Sequence, residues 1–170
     1  MPAVSDGPDI DPGLFRSVLG HFCSGIAIIT AIDPDNGGQP VGLTCQSFSS
    51  CSLEPPLVTF LPAKTSTSWP RIRNAGSFCI NILAHDQEAL CRGFAMKGAD
   101  KFEGVGWHEE VTGAPVLDGV LAWIDCTMHA VHDGGDHSIV VGEVVGVSEP
   151  RPGGGPLIHY ASRYRRLRDS

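Results

Sequence analysis

Apolar residues first recur at helical spacing, in Leu14, Phe15, Val18, Leu19 and Phe22, and then close up into the run Ile26-Ala27-Ile28-Ile29-Thr30-Ala31-Ile32. The first pattern predicts a short helix opened by Asp11-Pro12-Gly13, with Asp11 as its cap and Pro12 in its first turn. Its apolar face is expected to dock on a core. The second pattern predicts a strand over 25–32. Asp33 to Pro40 contains Asn36-Gly37-Gly38 and predicts a turn that returns the chain as a hairpin from Val41. A further strand is expected over 57–61. Residues 65–74 read as a helix ending before Gly76, capped by Ser66 or Ser68, with Pro70 in its first turn. Residues 77–83 read as a strand, and 87–97 as a helix with Leu90, Phe94 and Ala95 on its buried side. The β-rich stretches 121–132 and 138–147, with Asp133-Gly134-Gly135-Asp136 between them, predict a long hairpin. A Pro- and Gly-rich loop, 151–156, precedes a last segment, 157–168. At least five strands joined by hairpins point to a mainly β fold with flanking helices, an antiparallel barrel and not a βαβ wind.

One stretch resists this pattern. Between Leu43 and Leu53 the chain gathers Thr44, Cys45, Gln46, Ser47, Ser49, Ser50, Cys51 and Ser52 around the single aromatic Phe48. It then runs through Pro55-Pro56 into the apolar Leu57-Val58-Thr59-Phe60. A surface linker could have this composition, but linkers do not usually lead straight into buried strands. Lys64-Thr65-Ser66 lies after that strand and before a helix, where free backbone N–H groups and a cation make a plausible anion site. A helix cap beside a solvated lysine explains the same three residues. Two polar segments, each at a strand end, could together hold one phosphorylated ligand.

Composition narrows the classes. The chain of 170 residues is 42% hydrophobic and 18% charged, as in water-soluble globular proteins. Its net charge of -7 argues against nucleic acid, whose binding relies on Lys and Arg. No apolar run approaches the ~20 residues that span a bilayer. Residues 1–12 are polar, without the basic and apolar regions of a signal peptide, and are expected to be a disordered lead to a domain over 13–168 in a cytoplasmic protein. The six cysteines form no CxxC pair, and in a reducing compartment most are expected to be buried small hydrophobes.

Several chemistries lack their motifs. Gly104-Val105-Gly106 is the nearest approach to G-x-G-x-x-G, but position 109 is Glu and no strong strand precedes it. There is no P-loop, H-E-x-x-H or G-x-S-x-G. His132 to His137 offers imidazoles and carboxylates to a metal, yet turn chemistry accounts for four of those six residues. His137, following the turn, is the residue left unexplained.

The order and spacing of "FCSGIAIITA", "VGLTCQSFSSCSLEPPLVTF", "KTSTSW", "FCINIL", "FAMKGADKF", "LDGVLAWIDCTM", "HDGGDHSIVVGEV" and "LIHYASRYRRL" resemble the flavin reductases that supply reduced flavin to two-component monooxygenases. The resemblance runs from about Phe15 to Tyr164 and is nearest to reductase partners of aromatic, polyketide or steroid hydroxylases. It implies a six-stranded antiparallel Greek-key barrel, the FMN-binding split barrel, paired as a homodimer with FMN or FAD in a groove at the interface. On this resemblance Thr44, Cys45, Gln46, Ser47, Ser49 and Ser50 would wrap the flavin, and Lys64, Thr65 and Ser66 would meet its phosphate. Cys79, Ile80 and Asn81 would line the ring, and Phe94, Lys101 and Phe102 would lie near it. His137 and Tyr160 would border the nicotinamide of NADH or NADPH, with NADH preferred. The family usually has Ala-Asn or Ser-Asn where this chain has Cys45-Gln46. Hydride transfer between stacked rings needs orientation and donors but no acid–base dyad, which suits a sequence without one. A split-barrel protein holding flavin or haem without turnover, and a pyridoxamine-phosphate oxidase-like enzyme, are the rival readings. The "GGDH" and "HY" pairs favour the reductase over the first, and missing basic substrate residues weigh against the second.

Overall fold

The computed structural model describes residues 9–98 and 100–168, so most of the expected 1–12 lead lies outside the described residues. Helix α1 (Pro12–Leu19) starts as its sequence requires: the Asp11 carboxylate accepts from Leu14 N at 2.6 Å, and Pro12 fills the first turn. Its apolar face does not dock on the core of its own chain. Leu14, Phe15, Val18, Leu19 and Phe22 are between 53% and 83% exposed, because other elements already fill that core.

The chain continues through β1 (Ser24–Gly25), β2 (Ala27–Asp33) and β3 (Gln39–Cys45). The β2–β3 hairpin is registered from Ala27↔Cys45 to Asp33↔Gln39. Its turn uses Gly37 and Gly38 at φ 64° and 72°, where a side chain would be strained. Next come β4 (Ser49–Ser52) and β5 (Leu57–Phe60), separated by a turn with a cis Glu54–Pro55 bond. Helix α2 (Trp69–Ala75) begins four residues later than its sequence suggests, with Ser68 at its N-cap and Pro70 in the first turn. The Ser66 hydroxyl accepts from Trp69 N at 3.2 Å, and Gly76 at φ 74° ends the helix.

Strand β6 (Ser77–Ile82) leads to α3 (Glu88–Ala95), which buries Cys91 and Phe94 while Ala95, expected inside, is exposed. Two short strands with no clear sequence signal follow, β7 (Trp107–Glu109) and β8 (Pro115–Leu117). The long hairpin is β9 (Ala122–Gly134) and β10 (His137–Val147), and β11 (Leu157–Tyr160) and β12 (Arg163–Arg166) close the described chain.

The largest sheet is antiparallel and has seven strands, in the order β3-β2-β6-β9-β10-β5-β4. Its two edge strands, β3 and β4, are joined directly by Gln46, Ser47 and Phe48. Laid flat, seven strands would hold those edges roughly 29 Å apart at about 4.8 Å per strand. The three-residue connection reaches about 14 Å at most, so the sheet must curl towards itself at this end. Side chains from β2, β3, β5, β6, β9 and β10 accordingly meet in one core with Trp69 and Ile72 of α2, whereas β4 adds no buried member. The sheet thus has seven strands where six were expected, with β4 at its edge beside the seam.

A second layer covers the outside. Ile26 and Ile28 pack with Leu83, Cys91, Phe94, Leu117 and Leu157. Asn81, fully buried, donates to Thr30 Oγ1 at 3.0 Å and accepts from Leu117 N at 2.8 Å, pinning β8 across β2 and β6. Every polar atom of that buried pair therefore has a partner in the fold.

Candidate functional site

The curled sheet leaves an opening at its seam. A cavity of about 480 Å³ there is lined by Leu43, Thr44, Cys45, Gln46, Ser47, Leu61, Pro62, Ala63, Ser66 and His137. Three separate segments meet in it: the end of β3, the strand exit 61–66 and the first residue of β10. The second and third are joined by backbone contacts. Lys64 N donates to Asp136 O at 2.9 Å, Ser138 N donates to Pro62 O at 3.0 Å, and Ala63 forms an antiparallel bridge with His137.

Two hydroxyls of the 44–52 run, those of Thr44 and Ser47, tie the corner to other segments. Ser47 Oγ accepts from Leu61 N at 2.9 Å and donates to Leu61 O at 3.2 Å, tying the seam to the end of β5. Thr44 Oγ1 donates to Cys91 O at 3.1 Å. Ser49 and Ser50 are exposed on β4 and do not line the cavity; Ser49 Oγ donates to Ser50 O at 3.1 Å. Burial pushes the Cys45 thiol up, so it meets a ligand as neutral S–H. Three side chains retain capacity for a ligand. Gln46 is exposed with its amide unengaged among the described residues, and Ser66, while accepting from Trp69 N, keeps its proton to donate. His137 has Nδ1 at 2.7 Å from Asp136 Oδ1, leaving Nε2. That hydrogen bond holds the Asp136 carboxyl below the usual carboxylate range.

A second cavity of about 360 Å³ lies further along β3, lined among others by Gly42, Thr67, Ser68, Arg71, Asp100, Lys101 and Phe102. Lys101 Nζ is half-buried, donates to Gly42 O at 3.2 Å, approaches Ser68 Oγ at 3.4 Å and makes no ion pair among the described residues. Burial and then the Arg71 guanidinium push its pKa down. Arg71 is held through Nε by Asp33, and Asp100 Oδ1 accepts from Phe102 N at 3.1 Å.

The structure redistributes the residues singled out by the sequence. Thr44, Cys45, Gln46, Ser47, Ser66 and His137 come together in the seam cavity; Lys101 and Phe102 line the neighbouring one. Lys64 is paired with Asp133 and Thr65 is exposed, and neither lines the seam cavity. Cys79, Ile80 and Asn81 have no exposed surface: Ile80 is in the inner core, Cys79 packs with Ala114 and Val116, and Asn81 is engaged by β8. They line neither cavity. Phe94, 1% exposed, is a packing residue whose ring meets Phe102 edge-on at 5.0 Å. Tyr160 stands apart in the small β1-β11-β12 sheet, edge-on to His21. The lining residues Leu61, Pro62 and Arg71 were not singled out, since apolar strand ends and a helical arginine are common everywhere, and Thr67 was present only within the "KTSTSW" stretch.

Residues 19–168 match the family described as "Flavin reductase like domain". The chain belongs to the flavin reductase family. This flavin reductase is 51% identical over 155 residues to the flavin-dependent monooxygenase reductase subunit HsaB of Rhodococcus jostii (strain RHA1), across 91% of this chain and 77% of that protein. Its fold matches nitrilotriacetate monooxygenase component B from Mycobacterium thermoresistibile with a TM-score of 0.85 and 46% identity, covering 92% and 86% of the two chains. It also matches the Streptomyces globisporus C-1027 NADH:FAD oxidoreductase SgcE6, described in complex with NAD and FAD fragments. There the TM-score is 0.85 and the identity 32%, over 95% and 98% of the chains.

The seam cavity fits a flavin ring on its own chemistry. Leu43, Leu61, Pro62 and Ala63 offer apolar contact, and one amide and one hydroxyl remain to meet a heteroatom edge. The neighbouring cavity, with Lys101 and Arg71, suits a phosphate.

Proposed function

We propose that the protein is an NAD(P)H:flavin oxidoreductase that passes hydride from nicotinamide to FMN or FAD and supplies diffusible reduced flavin to a separate monooxygenase. The observation that carries this reading is the convergence of the Thr44–Ser47 corner, Ser66 and His137 on one cavity in a flavin reductase chain. A bound flavin supplies the hydride-accepting ring. Gln46 and Ser66 would hold its polar edge, while Leu43, Leu61 and Pro62 would offer the ring apolar contact. Lys101 and Arg71, with Thr67, hold the phosphate end in the neighbouring cavity, the part first assigned to Lys64. His137, which lines the same cavity with its side chain 42% exposed, would border a nicotinamide stacked on the ring.

The working form is a homodimer of the six-stranded Greek-key split barrel formed by residues 13–168. The bare face of α1 supports pairing: Ile10, Leu14, Phe15, Val18, Leu19 and Phe22 are all more than half exposed, a patch that a second copy would cover. Tyr160 sits against His21 at the end of that helix, so its part beside the nicotinamide rests on this pairing. The protein works in the cytoplasm; no described helix is long and apolar enough to cross a membrane.

The test is NADH and NADPH oxidation by the pure protein with FMN, FAD or riboflavin added in turn. Turnover is expected only with flavin. Robust NADH oxidation by rigorously flavin-free protein, or none with any flavin, overturns the reading. Diffusive supply is tested by placing the reductase and its oxygenase on opposite sides of a membrane that passes flavin but not protein. Some hydroxylation should persist; product only on contact between the proteins would mean channelled transfer.

A further inference from the structure

We propose that the protein carries a second ligand site, for a phosphate-bearing small molecule, between His85, the glycines 153–155 and the end of β12. The cavity there is about 780 Å³, a size that takes a whole small molecule, and Arg166 and Arg168 line it. It shares no lining residue with the seam cavity or its neighbour. The proposal goes beyond the reductase reading and does not depend on it.

Backbone contacts frame this cavity. His85 N donates to Gly155 O at 2.8 Å, Leu157 N donates to Leu83 O at 3.0 Å, and Ala84 forms an antiparallel bridge with Pro156. Leu157 is in turn registered opposite Arg166 in the β11–β12 ladder. The main chain therefore holds all three walls side by side. The glycine wall has no side chains to keep a ligand away from the backbone. His85 Nδ1 lies 3.3 Å from both N and O of Gly155, and Nε2 is unengaged among the described residues.

The local charge opposes that of the whole chain. The protein has 19 acidic and 12 basic residues, yet the stretch 150–168 holds Arg151, Arg163, Arg165, Arg166 and Arg168 and no Asp or Glu. Asp86, the carboxylate next to His85, is taken by Arg151 at 3.1 Å and does not line the cavity. Arg166 and Arg168 make no ion pair among the described residues. Two guanidiniums on one cavity repel each other, and an anion between them turns that repulsion into attraction. Each presents a planar fork that matches two phosphate oxygens. A phosphate group has enough charge and enough acceptor oxygens to satisfy both arginines and the imidazole together.

Both arginines are exposed, so Arg166→Gln with Arg168→Gln should leave the fold intact. Inorganic phosphate and pyrophosphate are titrated into the full chain by calorimetry, against chloride at matched ionic strength. The titrations use the Lys101→Met background, so that phosphate bound beside β3 does not obscure the result. Both anions should bind, pyrophosphate the more tightly. Adding Arg166→Gln and Arg168→Gln should weaken binding roughly ten-fold or more, as for loss of charge-assisted hydrogen bonds, and Arg166→Lys with Arg168→Lys should retain part of it. The amide resonances of Gly153 and Gly155 should shift as pyrophosphate is added. Undiminished binding in the glutamine variant, or shifts that leave these glycines untouched, overturns the proposal. So does the absence of binding by either phosphate; capture of polyglutamate in that case would make the arginines a docking strip for an acidic protein.

Discussion

Gly42 lies so close to Phe94 that a Cβ at position 42 would come within 2.6 Å of the Phe94 ring. The contact joins β3 to α3 directly beneath the cavity that holds Lys101, and it explains why Phe94 is sealed in the interior. Gly42→Ala should destabilise the fold by about 1–3 kcal/mol through overpacking, lowering the melting temperature by several degrees. Combining it with Phe94→Leu should cost less than the sum of the single losses, because the smaller side chain yields the space. Strictly additive losses in thermal melts would show that Phe94 is not the obstacle.

Phosphate recognition separates two lysines. Lys101→Met should weaken FMN by about 1–3 kcal/mol while leaving riboflavin nearly unchanged, since only FMN carries the anion. Lys64→Ala should change neither affinity. Flavin titrations followed by fluorescence give both numbers, and an FMN-selective loss in Lys64→Ala would return the phosphate to the 64–66 segment.

The acid limb of stability should depend on Asp33. The Arg71 hydrogen bond holds its carboxyl below the ordinary 3.8. A carboxylate whose folded pKa is depressed stabilises the fold above its unfolded pKa, and that contribution is lost as pH falls through the folded value. Asp33→Asn should therefore be less stable than wild type at neutral pH, with the gap closing below pH 3.8. Denaturant melts across that range check it; a gap independent of pH would assign the loss to packing.

The face of α1 carries the oligomer prediction. Phe15→Glu with Leu19→Glu should leave the monomer folded, because neither side chain is buried in it. Sedimentation should show a dimer for the wild type and a monomer for the variant. A wild-type monomer, or a variant that stays paired, would remove this helix from the interface.

Local chemistry made much of the fold readable. Asp11, Gly37-Gly38, Gly76 and the Asp133–Asp136 turn each act over a few residues, and each sits where its side chain or backbone freedom requires. What stayed hidden depends on distant partners. Lys64 reads as a free cation because Asp133, which holds it, lies 69 residues away. Strand β6 was given a place beside the ring by the resemblance alone, and its residue pattern cannot reveal that both its faces are covered. Phe78 and Ile80 face the inner core, and β8 covers Asn81 on the other side. The apolar stripe of α1 was legible as a docking face, but nothing among the described residues covers it. For the site, the polar corner at 44–47 and His137 were visible as unusual chemistry; the order in which the edges of the sheet meet was not.

The Ser47 hydroxyl, bonded to both the N–H and the carbonyl of Leu61, ties the seam of the sheet through the chain's own groups. A ligand seated across a seam can act as the rivet, in which case the protein loosens whenever the ligand departs. A carrier that surrenders its flavin at every cycle would then open and reclose with each delivery. With the serine as a permanent fastener, the empty form keeps its shape, and the next flavin meets a surface already in place.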